Sequence, residues 1–528
     1  MQLFLTHRID HFGFEVPIFL GLKDNGEEIK LTVNEILNYE GEIITYELPF
    51  VLDSLRTLYG GKLPTFIDIS QIIKINTGRA KKSYPKNQLP WNFWIRLKNE
   101  IGEEKATLFF KIIRESKDET KISTTLSELA ILLKNIYLNS IIILKEINQI
   151  SRFFEIENRI QQILNKRQIE GIYLDLEVLS EIVNKLETIK NHLINKLRYN
   201  HKITDLNYKS LRLQLIEKGF QISSKDYNYF NLIGYLKSAK INSQLCNDLY
   251  NALRAKSDFD SLSQYIPEDN NKVYPIFDCI GTVTSRILIV TPQIQQLKKE
   301  NRRIFIPKEN YSLLYCDYNQ FEPGILASFS NDDEMIALYN SEDIYENFSR
   351  YIFGTKSLRK EAKTIFLSYL YGMSDKKLVA SIEKIIKNRG INNKISAQEF
   401  FSKFTELEKF KAKENEKMVE NGFIKSETTI IRYVRKTKEG KGKQSDKRFV
   451  LSQLIQGSAS FILKKAIFDT MEDNEIEFLI PMHDAVLFQV PSNKLKEKMT
   501  FIEKCFVDNY IKVCPKIEGS VDFNEFDK

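Results

Sequence analysis

The chain of 528 residues is long enough for several domains and a large core. Its net charge of +7 and isoelectric point near 8.7 are mildly basic, a balance expected of a protein that tracks a phosphate backbone, though proteins with no nucleic-acid role reach it too. Five cysteines, odd in number and without a Cys-x-x-Cys pair, argue for a reducing compartment and against structural zinc, and five histidines, scattered except for His7 and His11, offer no His-rich metal site.

In chain order, the opening Met1–Arg8 is too short in apolar residues for a signal peptide. Residues 14–22 and 65–69 read as strands among helices, which predicts an α/β domain over residues 1–150. Leu129 to Leu144 is the most apolar stretch, but Lys134, Asn135 and Asn139 interrupt it, so it makes no comfortable membrane span. The expectation is a soluble, cytoplasmic protein without a membrane partner. Phe153, Ile156, Ile160, Ile163 and Leu164 recur at helical spacing; after Gly171, Asp175 is placed to cap a second helix carrying Leu179, Ile182, Val183, Leu186 and Leu197. Two such helices in succession suit a hairpin, by periodicity alone only a coiled-coil-like element.

Lys298, Lys299, Arg302 and Arg303 form a basic cluster just before an apolar run, Leu313 to Cys316, that ends in Asp317. Leu358 to Gly372 is free of Pro and Gly until its last residue and predicts a helix on which Arg359, Lys363, Leu367 and Leu370/Tyr371 share a face, cationic at one end and apolar or aromatic at the other. A second basic run, Lys436, Lys438, Lys441, Lys443, Lys447 and Arg448, contains Gly440 and Gly442 and predicts a flexible loop on a hairpin. Phe478 to Phe488 is two apolar stretches separated by His483 and Asp484, in hairpin fashion.

If the fold joins the tips bearing Asp317 and Asp484, the two carboxylates repel unless cations bridge them; a pair of Mg²⁺ ions roughly 3.5–4 Å apart is the usual solution in phosphoryl transfer. Taken alone, either acid reads as a turn residue. The Arg359 face is what a nucleoside triphosphate needs, with phosphates on cations and a base on a ring, yet by spacing alone it is an ordinary amphipathic helix.

The ordered set of segments resembles the family A DNA polymerases, the bacterial polymerase I type, over about residues 150 to 528. Asp317 to Glu322 resembles that family's motif A, Arg359 to Gly372 its motif B and His483-Asp484-Ala485 its motif C; Thr282 to Ile287, Pro292 to Gln296, Arg302 to Ile306 and Gln456 to Ser460 fall in the family's order around them. The fold implied is α+β, a right-hand polymerase: a thumb over 151–270, a palm over 271–339 and 448–528, and fingers over 340–447. Before it, 1–150 is expected to be a degenerate ribonuclease H-like domain of the 3′–5′ exonuclease type.

The same resemblance implies that Asp317, Asp484 and the Tyr318 carbonyl hold two Mg²⁺, with Mn²⁺ as an alternative. Arg359 and Lys363 clamp the triphosphate, Lys363 counting with the aspartates as catalytic. Gln320, Tyr345, Leu367 and Tyr371 complete the nucleotide site, and Glu322 matches a steric gate occupying the space of a ribose 2′-hydroxyl. Arg286, Gln295, Arg302, Arg303, Gln456 and His483 match positions that contact primer–template DNA. From the residues alone, Arg286 is equally a surface ion pair, Gln456 a helix surface residue and His483 a turn residue.

Four departures stand out. Ala485 replaces a motif C glutamate, Leu367 the aromatic of motif B, Tyr345 a histidine, and Pro323-Gly324 a Leu-Arg pair. Both metal carboxylates and the triphosphate cations remain, so the expectation is an active template-directed enzyme using dNTPs. The rivals are a single-subunit RNA polymerase, against which Glu322 argues, and a non-catalytic nucleic-acid scaffold with a decayed palm. No Asp-x-Glu occurs near the N-terminus, so proofreading is expected to be absent; Tyr46 to Asp53 and Asp68 resemble later exonuclease motifs or are surface acids. No 5′-nuclease region is recognised, and richness in Lys, Asn and Ile suggests an AT-rich phage or mobile element. A helicase, primase or clamp partner is left open.

Overall fold

The N-terminal strands alternate residues between two apolar faces, which requires cover on both sides. In the computed structural model, which describes residues 1–9, 16–85, 88–220, 229–240, 243–267, 270–341, 343–390, 397–426 and 428–527, they have it. Five strands lie in the order Glu28–Leu31, Ile18–Lys23, Gln2–Arg8, Glu42–Thr45, Thr65–Asp68; the first three are antiparallel and the last two join in parallel. Leu3 and Leu5 enter a core with Val51, Leu52, Leu55 and Phe66, while Phe4 sets its ring 5.7 Å from Tyr137 on the Glu119–Glu146 helix. Of the predicted first strand, Phe14 and Glu15 lie outside the described residues. That helix is long and apolar enough to cross a bilayer by length and composition, but it buries Leu126, Leu129 and Leu133 in this domain and accepts a hydrogen bond from Thr6 at the Leu126 carbonyl, 3.0 Å.

By its contacts the chain forms two units: Met1–Glu170 with Ile276–Val290 and Lys308–Glu525, and Gly171–Pro275 with Thr291–Pro307 and Phe526–Lys528. The larger unit also contains a four-stranded antiparallel sheet, in the order Glu477–Met482, Ala485–Pro491, Tyr311–Tyr318, Val521–Asn524. Its strands are apolar runs because the helices Val450–Thr470 and Leu495–Val513 belong to the same core, through Ile462, Ala466, Ile502 and Phe506. In the same unit the helices Ile344–Phe353 and Arg359–Leu370 are joined by rings: Phe366 lies 5.6 Å from Phe348 and 5.8 Å from Phe401. The second basic run closes a small hairpin by a bridge between Lys436 and Gly442, with Gly440 at φ +82°.

The smaller unit is mostly helical. Leu176–His201 begins at Asp175, whose carboxylate accepts the Val178 amide as the sequence suggested. It packs with Tyr208–Glu217, Tyr229–Ala239 and Gln244–Ser263 around Leu197, Leu211, Leu232, Leu236 and Leu249. The first helix of the expected hairpin, Asn158–Glu170, belongs instead to the larger unit, preceded by a π turn at Phe153–Glu157.

Candidate active site

Register decides where the two aspartates fall. Across the antiparallel pair, Asp317 stands opposite Ala485, and the Tyr318 amide faces the Asp484 carbonyl at 3.4 Å. Asp484 therefore sits next to Asp317 at the tip of a two-residue turn whose other member, His483, has φ +43° and is exposed. Asp522 is the cross-strand neighbour of Asp317 on its other side. Tyr318 buries its ring against Phe321, centroids 4.1 Å apart, and its hydroxyl donates to the Phe506 carbonyl, leaving only the backbone to serve a site. Burial pushes the Tyr318 phenol well above its ordinary value.

The donor set suits a hard cation. Two carboxylates and carbonyl oxygens, without sulfur, fit Mg²⁺, which takes one or two carboxylates and fills its remaining positions with water and phosphate. Among the described residues no group of three His, Cys, Asp or Glu side chains gathers to form a closed protein cage.

Beside the aspartates, the helix Ile344–Phe353 starts at Asp343, whose Oδ1 accepts the Tyr345 and Glu346 amides. Its Oδ2 accepts from Arg359 Nε at 3.1 Å and Nη2 at 2.5 Å, which raises the guanidinium's proton affinity. Tyr345 is buried, with Arg359 and Lys363 each 5.4 Å from its ring centroid. Burial, then the charges of Glu322, Asp343 and Asp484, push its phenol above the ordinary range. Gln320, at φ +46°, accepts the Ile344 amide at 2.8 Å and so ties the end of the Tyr311–Tyr318 strand to this helix.

Glu322 accepts from Arg286 Nη2 at 3.0 Å, while Gln456 donates to the Tyr371 hydroxyl at 3.4 Å. Burial first, and Glu322 second, raise the Tyr371 phenol. Leu367 is half-buried on the same helix as Arg359 and Lys363. Tyr371 also borders a cleft of about 820 Å³ with Phe401, Lys411, Arg448 and Leu451.

The structure thus gathers Asp317, Tyr318, Gln320, Glu322, Tyr345, Arg359, Lys363, Tyr371, Arg286, Gln456 and His483 in one unit. Gln295, Arg302 and Arg303 belong to the other. There Arg302 is buried, donating to the Leu297 and Phe526 carbonyls with its guanidinium 4.9 Å from the Phe526 ring, so its charge is spent internally; Arg303 is exposed, 3.9 Å from Glu181. Sequence reasoning missed Asp343 as cap and ion partner, although Asp before an apolar run is a recognisable cap signal. It also missed Lys82 and Arg432, which with Arg448 lie 5.4, 3.9 and 4.6 Å from the Phe449 ring.

In the N-terminal domain Asp68 is not a surface acid. It is buried, caps the Ile69–Thr77 helix through the Ser70 amide, and has its carboxyl raised by burial. The end of the first strand is filled by rings: His7 stacks on Tyr46 at 4.6 Å and Tyr46 on Phe93 at 3.9 Å.

Comparison with solved structures gives the class. The chain has the fold of a polymerase domain: it superposes on the POL domain of Pol1 from M. smegmatis, determined in complex with DNA primer-template and dNTP, with a TM-score of 0.74 over 97% of this chain and 92% of that one, at 17% identity. Residues 236–524 match DNA polymerase family A, and the chain belongs to that family. Among its relatives are the DNA polymerase I of Borreliella burgdorferi, 24% identical over 65% of this chain and 40% of that protein, and that of Bacillus subtilis, 25% identical over 68% and 43%. The match to the Caldicellulosiruptor bescii DNA polymerase I is 22% identical over 74% of this chain and 48% of the relative. The chain spans less than half the length of these relatives.

Proposed function

We propose that this chain extends a DNA primer on a template with dNTPs by metal-assisted nucleotidyl transfer. The observation that carries the reading is the register that sets Asp484 beside Asp317 with the Arg359–Leu370 helix in the same unit. Asp317, Asp484 and the Tyr318 carbonyl would hold divalent ions, Mg²⁺ by donor chemistry, which when bound lower the pKa of a primer hydroxyl and neutralise charge on the leaving pyrophosphate. Arg359 and Lys363 supply fixed cations for the triphosphate. Lys363 is exposed and pairs with no carboxylate among the described residues, whereas Arg359 must exchange Asp343 for a phosphate. Tyr345 holds both cations by its ring and adds no charge. Glu322 excludes a 2′-hydroxyl, Tyr371 and Leu367 flank the nascent pair, and Arg286, Gln456 and His483 meet the primer–template.

In this reading the Tyr311–Tyr318 sheet is the palm, the helices from Ile344 to Asn421 the fingers, and the helical smaller unit the bulk of the thumb, where Gln295 and Arg303 face DNA. The cations around Phe449 contact template phosphates. The N-terminal domain is an exonuclease-like relic without proofreading, since rings occupy the end of its first strand and Asp68 is committed to a cap.

Primer extension by the natural protein beside Asp317→Ala and Asp484→Ala tests this. Each variant is expected to lose at least ~1000-fold in rate, as removal of a charge-stabilising group does. Equal incorporation by all three rejects the metal site, none by the natural protein favours a scaffold, and preference for NTPs favours an RNA polymerase. Clear Mg²⁺-dependent degradation of a mismatched primer refutes the absence of proofreading.

A further inference from the structure

Beneath the turn that carries Arg286 lies a buried charged network that the proposed mechanism leaves unused. Glu157 and Lys464 are 2% and 1% exposed, Ser285 is fully buried, and Arg152 nearly so. Lys464 Nζ donates to Glu157 Oε2 at 2.5 Å, to the Cys279 carbonyl at 2.8 Å and to Ser285 Oγ at 3.0 Å. Arg152 donates from Nε to Glu157 Oε1 at 3.0 Å and from Nη2 to Ser285 Oγ at 3.1 Å. The Ser285 hydroxyl in turn donates to Glu157 Oε1 at 2.6 Å, and Ser460 Oγ donates to the Ser285 carbonyl at 2.6 Å. One residue, Ser285, is therefore held at its hydroxyl by an anion and two cations and at its carbonyl by a second hydroxyl.

Burying two cations with one carboxylate is a poor route to stability, because apolar side chains of similar volume usually do as well or better. Such a network makes sense where it fixes a conformation. Ser285 has φ +61°, a backbone state that L residues other than Asn and Asp rarely adopt without compensation. Its hydroxyl and carbonyl bonds supply that compensation, and they set the direction of the next residue. Arg286 then closes the turn, its amide donating to Thr282 Oγ1 at 3.1 Å and its carbonyl accepting from Gly281 at 3.0 Å, and its guanidinium reaches Glu322. Lys464 and Ser460 also line, with Arg286 and His483, one small cleft.

We propose that Glu157, Lys464 and Ser285 are positioning residues for sugar selection, locking the left-handed turn so that the Arg286 guanidinium stays on the Glu322 carboxylate. This rests on the polymerase reading above. An untethered turn lets Arg286 leave Glu322, and the carboxylate then swings out of the space where a ribose hydroxyl is excluded.

The test uses the full chain with Lys464→Met and Ser285→Ala, each alone and in an Arg286→Ala background, comparing kcat/KM for dNTP and NTP incorporation, with thermal melting as the control for folding. Each single substitution is expected to lower the dNTP-over-NTP ratio about tenfold, chiefly through faster ribonucleotide use. In the Arg286→Ala background the same substitutions are expected to change it by less than about twofold, because the effect travels through Arg286. A folded Ser285→Ala protein with the natural ratio overturns the inference, as do losses that multiply independently of Arg286→Ala. Should Lys464→Met fail to fold, Ser285→Ala, which removes one hydroxyl, decides. Absence of any extension by the natural protein sinks the polymerase reading and this inference together, whereas normal extension with unmoved ratios sinks this inference alone.

Discussion

Glu322 is the residue on which most of the proposed selectivity converges, since it is bonded to Arg286 and its charge raises the Tyr371 phenol. Two properties of its side chain are separable, bulk and charge. Glu322→Ala removes both and is expected to weaken discrimination against ribonucleotides by roughly 10- to 100-fold, the range over which a site tells apart substrates differing by one hydroxyl. Glu322→Gln keeps the bulk and an amide oxygen that can still accept from Arg286, so it is expected to lose no more than about threefold. Competition between dNTP and NTP at a single template position measures both, and identical ratios in all three proteins would remove the gate assignment. At this scale the sequence showed the two aspartates, because each ends a short apolar run, which is a local signal. It did not show the Arg286–Glu322 pair, which joins different segments, nor that Lys464, beside Lys465 in the largely apolar helix Val450–Thr470, is the buried member of that pair of lysines.

Asp343 shows how one element serves two ends, capping the Ile344–Phe353 helix with one oxygen and holding Arg359 with the other. Asn caps as well as Asp but carries no charge, so substitutions separate the tasks. Asp343→Ala is expected to lower stability by about 1 kcal/mol in denaturant unfolding, and Asp343→Asn to leave it nearly unchanged. Both free Arg359 from a carboxylate it must otherwise release, so KM for dNTP is expected to fall roughly two- to fivefold; a rise in KM for Asp343→Asn would instead make Asp343 the group that aims Arg359. Elements with one period along their length were legible. The helix predicted over Leu358 to Gly372 forms at Arg359–Leu370, and the hairpin turns at His483-Asp484. The helix predicted from Phe153 was only partly so: its first turn is a π turn that carries Glu157, and Glu157 is placed by partners more than a hundred residues away.

At the scale of the whole molecule, long-range ions tie distant stretches of chain together, and Glu477 is a case whose consequence can be measured. Arg167 from the Asn158–Glu170 helix donates to it at 3.0 Å, Gln489 from the neighbouring strand at 2.7 Å, and Lys308 from the segment before the Tyr311–Tyr318 strand completes the set. Burial alone would raise this carboxyl, but the hydrogen bonds of Lys308 and Gln489 and the charge of Arg167 outweigh it and hold the group at about 2, below its ordinary 4.5. A carboxyl depressed in the folded state favours folding when ionised. Its contribution is complete above the unfolded value near 4.5 and is lost as pH falls through that value toward about 2. Glu477→Gln removes the titrating group and leaves Arg167 and Lys308 without their anion, so the variant is expected to melt lower at about pH 6 yet to lose less stability than the natural protein between about pH 5 and pH 3. The two melting curves should therefore converge with acid; parallel curves across that window would show that the tie contributes nothing through its charge.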